Sequence, residues 1–182
     1  MTQTLPPADA RRDKITQAAA DVFIRYGFAR TTMGDIAAAA GIARPTLYLS
    51  FPQKQDIFGA VIELLASRKL AEIRAELAGL SGLGAKLRHA CLSWGLAGFD
   101  LVRANPDAKD MFDLNFAPVR QGHAGFIRLL ADMLQDAGRD NAEVTARMMG
   151  AALKGFKLVA DDREQVQEMI HSLCAAVAET GS

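Results

Sequence analysis

Apolar residues recur along this chain at a period near 3.6, and almost nowhere at a period of two. From Asp9 to Tyr26 the apolar positions are Ile15, Ala18, Ala19, Val22, Phe23 and Tyr26, a single stripe that predicts one helix, and Gly27 stands where that helix would stop. Thr32 followed by Asp35 has the spacing of a capping box and predicts a second helix with Ile36, Ala37 and Ala40 on its inner face, ended by Gly41. A third helix is short, Arg44 to Ser50, with Pro45 in its first turn and Pro52 closing it. A long fourth helix follows over about 53–78, with Ile57, Phe58, Val61, Leu65, Ile73 and Leu77 on its stripe. After the flexible "GLSGLG" at 79–84, further helices are expected over about 85–104, 107–116, 118–137, 141–160 and 163–179. The expected fold class is therefore all-α, with about nine helices: a three-helix head over 1–52 and a helical-bundle body over 53–182.

Helix, glycine turn and short helix in succession form a helix-turn-helix unit, whose second helix enters the DNA major groove. The third helix suits that role, because Leu47 and Phe51 can anchor it while its other side is polar. Arg44 can bond guanine through two acceptors, and Thr46 can bond a base or touch a thymine methyl. Pro45 opens the same turn. Tyr48, Ser50, Lys54 and the hydroxyls of Thr31 and Thr32 are candidates for phosphate contact.

Charge agrees with this only locally. Lys+Arg and Asp+Glu balance at 21 each over the 182 residues, which excludes a uniformly basic nucleic-acid binder. Residues 1–60 carry seven Lys/Arg against five Asp, so the head is slightly positive and the remainder slightly negative. The two cysteines, Cys91 and Cys174, match no disulfide framework and suit a reducing cytosol. The N-terminal "MTQTLPPADARRDK" lacks the apolar core of a signal peptide, and no run of about 18 apolar residues occurs, so a cytoplasmic protein that spans no membrane is expected.

The stretch "TTMGDIAAAAGIARPTLYLSFPQKQDIF", Thr31 to Phe58, closely resembles the signature of the TetR family of transcriptional regulators. It has the Thr-Thr start, the Asp-Ile-Ala, the Ala-Gly-Ile turn, the Thr-Leu-Tyr, the aromatic and the Lys before a long helix. The resemblance is specific over about residues 12–60; beyond that it is one of helix count and length. After Tyr48 the family often has Tyr or Trp followed by His, where this chain has Leu49 and Ser50. The resemblance implies a ligand-responsive transcriptional regulator, most simply a repressor, binding a palindromic operator in double-stranded DNA as a homodimer held by the last two helices. The small residues of those helices agree: Ala151, Ala152, Gly155 and Ala176 permit close approach, with Met148, Met169, Leu173 and Val177 to fill the gaps.

The middle helices concentrate Trp94, Phe99, Met111, Phe112, Phe116 and Phe126, with Arg103, Asn115 and His123 as polar groups nearby. Such a set can line a pocket for a small apolar or aromatic effector, or can be plain core. No metal site is expected, since His171 and Cys174 make only two ligands on one face, and no cofactor either. With no dinucleotide fingerprint, P-loop or nucleophile elbow, the chain does not read as an enzyme. The alternative function is a helical small-molecule-binding or protein-interaction module with weak or lost DNA affinity.

Overall fold

The computed structural model describes residues 7–179; the first six residues of the stretch read for a signal peptide lie outside them. Among the described residues there are eight α-helices and one 3-10 helix: α1 Ala8–Arg30, α2 Met33–Ala39, α3 Arg44–Ser50, α4 Lys54–Leu77, α5 Leu83–Ala104, the 3-10 helix Pro106–Phe112, α6 Ala117–Asp136, α7 Ala142–Val159 and α8 Arg163–Glu179. The fold class expected from the hydrophobic period is the one observed. The segment expected as a helix over 107–116 is the 3-10 helix, which ends at Phe112.

The chain packs as two compact units. The first takes the chain up to Leu65 together with Ala104–Arg120, and the second takes Ala66–Arg103 and the chain from Gln121 onward. Packing thus groups residues differently from the division expected at residue 52, since the start of α4 and the 3-10 segment join the head.

In the first unit, Ile15, Ala19, Phe23, Ile36, Leu47, Phe51, Ile57, Phe58 and Val61 are buried. Rings organise the far side of this core. Phe58 meets Phe23 edge-on at 5.3 Å between centroids, and Phe116 closes on Phe28 at 5.3 Å and on Phe58 at 5.1 Å. Gly27 interrupts α1 with φ 72°, in the left-handed region that glycine enters at least cost. A side chain there would also collide with the carbonyl of Asp107, so this glycine admits the 3-10 segment against α1.

The second unit has a larger apolar core, drawn from the end of α4 (Leu70, Ile73, Leu77) and from α5, α6, α7 and α8. Trp94 and Phe126 stack within it at 4.7 Å and nearly parallel. No helix of the described residues is long and apolar enough to cross a membrane.

Candidate functional site

The helix-turn-helix is built from local signals. The Thr32 hydroxyl accepts the N–H of Asp35, and the Asp35 carboxylate accepts the N–H of Thr32 at 2.8 Å. The Thr32 hydroxyl also donates to the Asp35 carboxylate at 2.7 Å, and this bond, then the one from the Thr32 N–H, holds the Asp35 carboxyl below its ordinary value, with a smaller contribution from Arg44. Gly41 turns the chain with φ 63°. In α3, Leu47 is fully buried while Arg44, Pro45, Tyr48 and Leu49 are exposed and Thr46 is half-buried. Tyr48 is 50% and Leu49 77% exposed, an unusual outlay of apolar surface on a seven-residue helix. Arg44 does not project freely: its guanidinium lies against Gly34 at the start of α2, where any side chain would collide with it.

Three of the expected phosphate contacts are turned inward. Thr31 is 2% exposed and donates its hydroxyl to the Gly27 carbonyl at 2.6 Å, closing the end of α1. Ser50 is 6% exposed and accepts from Arg11 Nε at 2.8 Å. The Lys54 ammonium donates to the carbonyls of Phe28 at 2.6 Å and Thr31 at 2.8 Å, and sits 4.3 Å from the centroid of the Phe28 ring. Lys54 thus caps the carbonyl end of α1, where a cation is electrostatically favoured. In this conformation these three side chains are engaged within the head.

Two arginines escaped the sequence reading. Besides the Arg11 bond to Ser50, Arg12 donates to the Ser50 carbonyl and places its guanidinium 3.9 Å from the centroid of Phe51. Both tie the start of α1 to the end of α3, at the position where the family pattern departs. The small Ser50 side chain leaves a hydroxyl that Arg11 uses.

A further tie crosses from the 3-10 segment. Asp110 Oδ2 accepts the N–H groups of Phe28 at 2.7 Å and Ala29 at 3.1 Å, and Arg30 pairs with Asp107 at 2.6 Å. The turn after Gly27 therefore rests on a carboxylate 82 residues away in sequence.

The effector candidates separate. Met111, Phe112, Asn115 and Phe116 belong to the first unit, where Met111 is buried and Phe116 is part of the ring cluster. Trp94, Phe99, Arg103, His123 and Phe126 belong to the second. Arg103 is exposed and bonds the Asp161 carbonyl at 2.8 Å. His123 is half-buried beside Gly150; burial, then Lys157 and Lys154, push its imidazole below the ordinary value.

Of the expected interface residues, Met148, Ala151 and Ala176 are exposed; Ala152, Gly155, Met169 and Leu173 are half-buried; and Val177 is buried in its own unit's core. Val144 and Leu158 are 68% and 79% exposed. With Met148, Ala151 and Gly155 they follow steps of four and three along α7, the spacing of a coiled-coil seam. A side chain at Gly155 would meet nothing within 4 Å.

Residues 15–61 match the family model of "Bacterial regulatory proteins, tetR family". The transcriptional activator FasR of Mycolicibacterium smegmatis is 31% identical over 84 residues, which are 46% of this chain and 38% of FasR. This chain thus matches little more than a third of that relative's length. Among solved structures, a TetR-family regulator from Cytophaga hutchinsonii superposes with TM-score 0.73 at 17% identity, covering 96% of this chain and 98% of that one. The regulator FadR of Bacillus subtilis, solved with stearoyl-CoA, superposes with TM-score 0.69 at 15% identity, covering 92% and 97%. At such identities the likeness is one of fold. The head thus carries the motif of the tetR family model, and the chain along its length has a fold like that of solved TetR-family regulators.

Proposed function

We propose that the protein is a transcriptional regulator that binds duplex DNA through α3, acts as a homodimer on a palindromic operator, and represses until an apolar effector releases it. The observation that carries this reading is α3 itself. Leu47 roots the helix, and Pro45, Thr46, Tyr48 and Leu49 cover its outer side. Thr46 is assigned base contact, Leu49 a thymine methyl and Tyr48 a phosphate. Arg44 reaches a base by leaving Gly34. Thr31, Ser50 and Lys54 act indirectly, by fixing the helix ends that carry these groups.

The exposed seam of α7 supports the dimer, because Val144, Met148 and Leu158 leave apolar surface that a second copy would cover. A two-fold dimer sets two α3 helices on successive major grooves, about 34–36 Å apart. For the effector, the residues kept are Trp94, Phe99, His123 and Phe126 of the second unit. FadR of Bacillus subtilis, with stearoyl-CoA bound, makes fatty-acyl compounds the first class to try. The effector must favour the conformation that does not bind DNA. A rearrangement reaching Asp110 would release the turn at Phe28–Ala29 and loosen the head.

Binding of labelled duplexes across a salt series tests the reading. Arg44→Ala and Thr46→Ala should each cost about 1–3 kcal/mol on the preferred sequence and little on random DNA. Equal losses on both would remove their assignment to bases, and absence of any duplex binding at low salt would leave the module without DNA affinity.

A further inference from the structure

The function proposed above uses neither cysteine. Cys91 lies on α5 and Cys174 on α8, and both are buried, at 0% and 2% exposure. Two contacts relate these helices in antiparallel order. A side chain at Gly84 would touch Ala178, and one at Gly95 would touch Ile170. Cys91 and Cys174 each lie one helical turn from the Gly95–Ile170 contact, and their side chains share a hydrogen bond. We infer that Cys91 and Cys174 form a thiol pair that a hydroperoxide closes to a disulfide across the α5–α8 seam.

The two thiols are not equivalent. Cys91 donates its S–H to Cys174, and this bond, with burial, pushes Cys91 well above the ordinary thiol value. Accepting that bond lowers Cys174; burial opposes this in part, and the Arg88 guanidinium adds a smaller lowering. Cys174 is thus the sulfur that reaches the thiolate more readily, and it retains the pair's small exposure. Its thiolate attacks one oxygen of hydrogen peroxide; the O–O bond breaks, the other oxygen leaves as hydroxide and takes a proton to become water, and Cys174 becomes a sulfenic acid. The Cys91 sulfur then attacks the Cys174 sulfur, an S–S bond forms, and the sulfenic oxygen leaves as water with the Cys91 proton. Overall two thiols and one peroxide give one disulfide and two waters, with two electrons passing from sulfur to oxygen. The closed bond would fix α8, which carries Met169, Leu173 and Ala176 of the expected subunit interface, to α5.

The test uses the folded full-length chain and mass spectrometry, so it reads the pair whether or not the head binds DNA. The protein is treated with hydrogen peroxide, quenched, denatured and alkylated with N-ethylmaleimide. The expected product has lost two hydrogen atoms, takes up no maleimide, and regains two alkylatable thiols after dithiothreitol. In Cys91→Ser the reaction should stop at a sulfenic acid on Cys174 that dimedone captures, while in Cys174→Ser the Cys91 thiol should survive the same exposure. Wild-type protein that still takes up two maleimides, that gains oxygen on each sulfur separately, or that links two chains overturns the pair. Equal reactivity of the two single variants overturns the assignment of Cys174 as the attacking sulfur.

Discussion

The two packing units are held together in different ways. The first is small and is fastened by specific polar ties: Asp110 on the turn at Phe28, Lys54 on the end of α1, Arg11 and Arg12 on the end of α3, and the Thr32–Asp35 box. The second rests on a broad apolar core, with exposed pairs such as Arg163–Asp100 at its rim. Directional bonds fix orientation, whereas apolar burial fixes stability without fixing angles. A head that reads bases needs its recognition helix oriented closely. A body that accommodates an effector benefits from a core that can shift. Changes to the head's ties should therefore disturb DNA binding, and changes to the body's core should disturb stability.

The largest effect is expected in the body. Phe126 is fully buried and stacked on Trp94, so Phe126→Ala should cost about 3–5 kcal/mol. Urea unfolding followed by Trp94 fluorescence measures it. A loss below about 1 kcal/mol would mean that this core is not what holds the body.

Asp110→Ala should come next. It strips two N–H groups of their acceptor and should cost about 1–3 kcal/mol, with a disproportionate loss of DNA affinity. Asp110→Asn, which keeps an acceptor, should recover part of both. If stability falls while DNA affinity is untouched, the tie does not orient the head.

Lys54→Met separates capping from phosphate contact. Loss of the cap should cost about 1–1.5 kcal/mol of stability. The slope of log affinity against log salt should stay as in wild type; a slope reduced by about one would restore Lys54 as a phosphate ligand.

A further expectation concerns pH. Burial pushes the Lys157 ammonium down from 10.5 to about 8. Between those values the unfolded chain binds more protons than the folded one, so this group's contribution to stability rises with pH across that window and is flat below it. Lys157→Met should flatten the slope of urea midpoints between about pH 8 and 10.5; an unchanged slope would place its origin elsewhere.

What the sequence revealed depended on distance along the chain. The capping box, the Gly41 turn and the anchors Leu47 and Phe51 are signals within a few residues of one another, and all stand as read. The tie from Asp110 spans 82 residues, that from Arg11 spans 39 and that from Lys54 spans 26, and no local pattern announces such pairs. Residue type alone makes Lys54 and Ser50 candidates for phosphate contact and gives no sign of their partners within the head. The same holds for Phe116, whose ring neighbours Phe28 and Phe58 are distant in sequence. The α7 seam was more legible than it was made: the steps of four and three extend outward from Met148 and Ala151 to Val144 and Leu158.

The central claim is that α3 reads a DNA sequence, and selection of bound duplexes from a random pool tests it most directly. Repeated selection with wild-type protein should enrich a palindrome with half-sites about one helical turn apart, bound at least about a thousandfold more tightly than random duplex at physiological salt. The same selection with Thr46→Ala should relax one position in each half-site. A pool that stays random after repeated rounds, with binding no tighter than to scrambled duplex, would contradict sequence reading by α3.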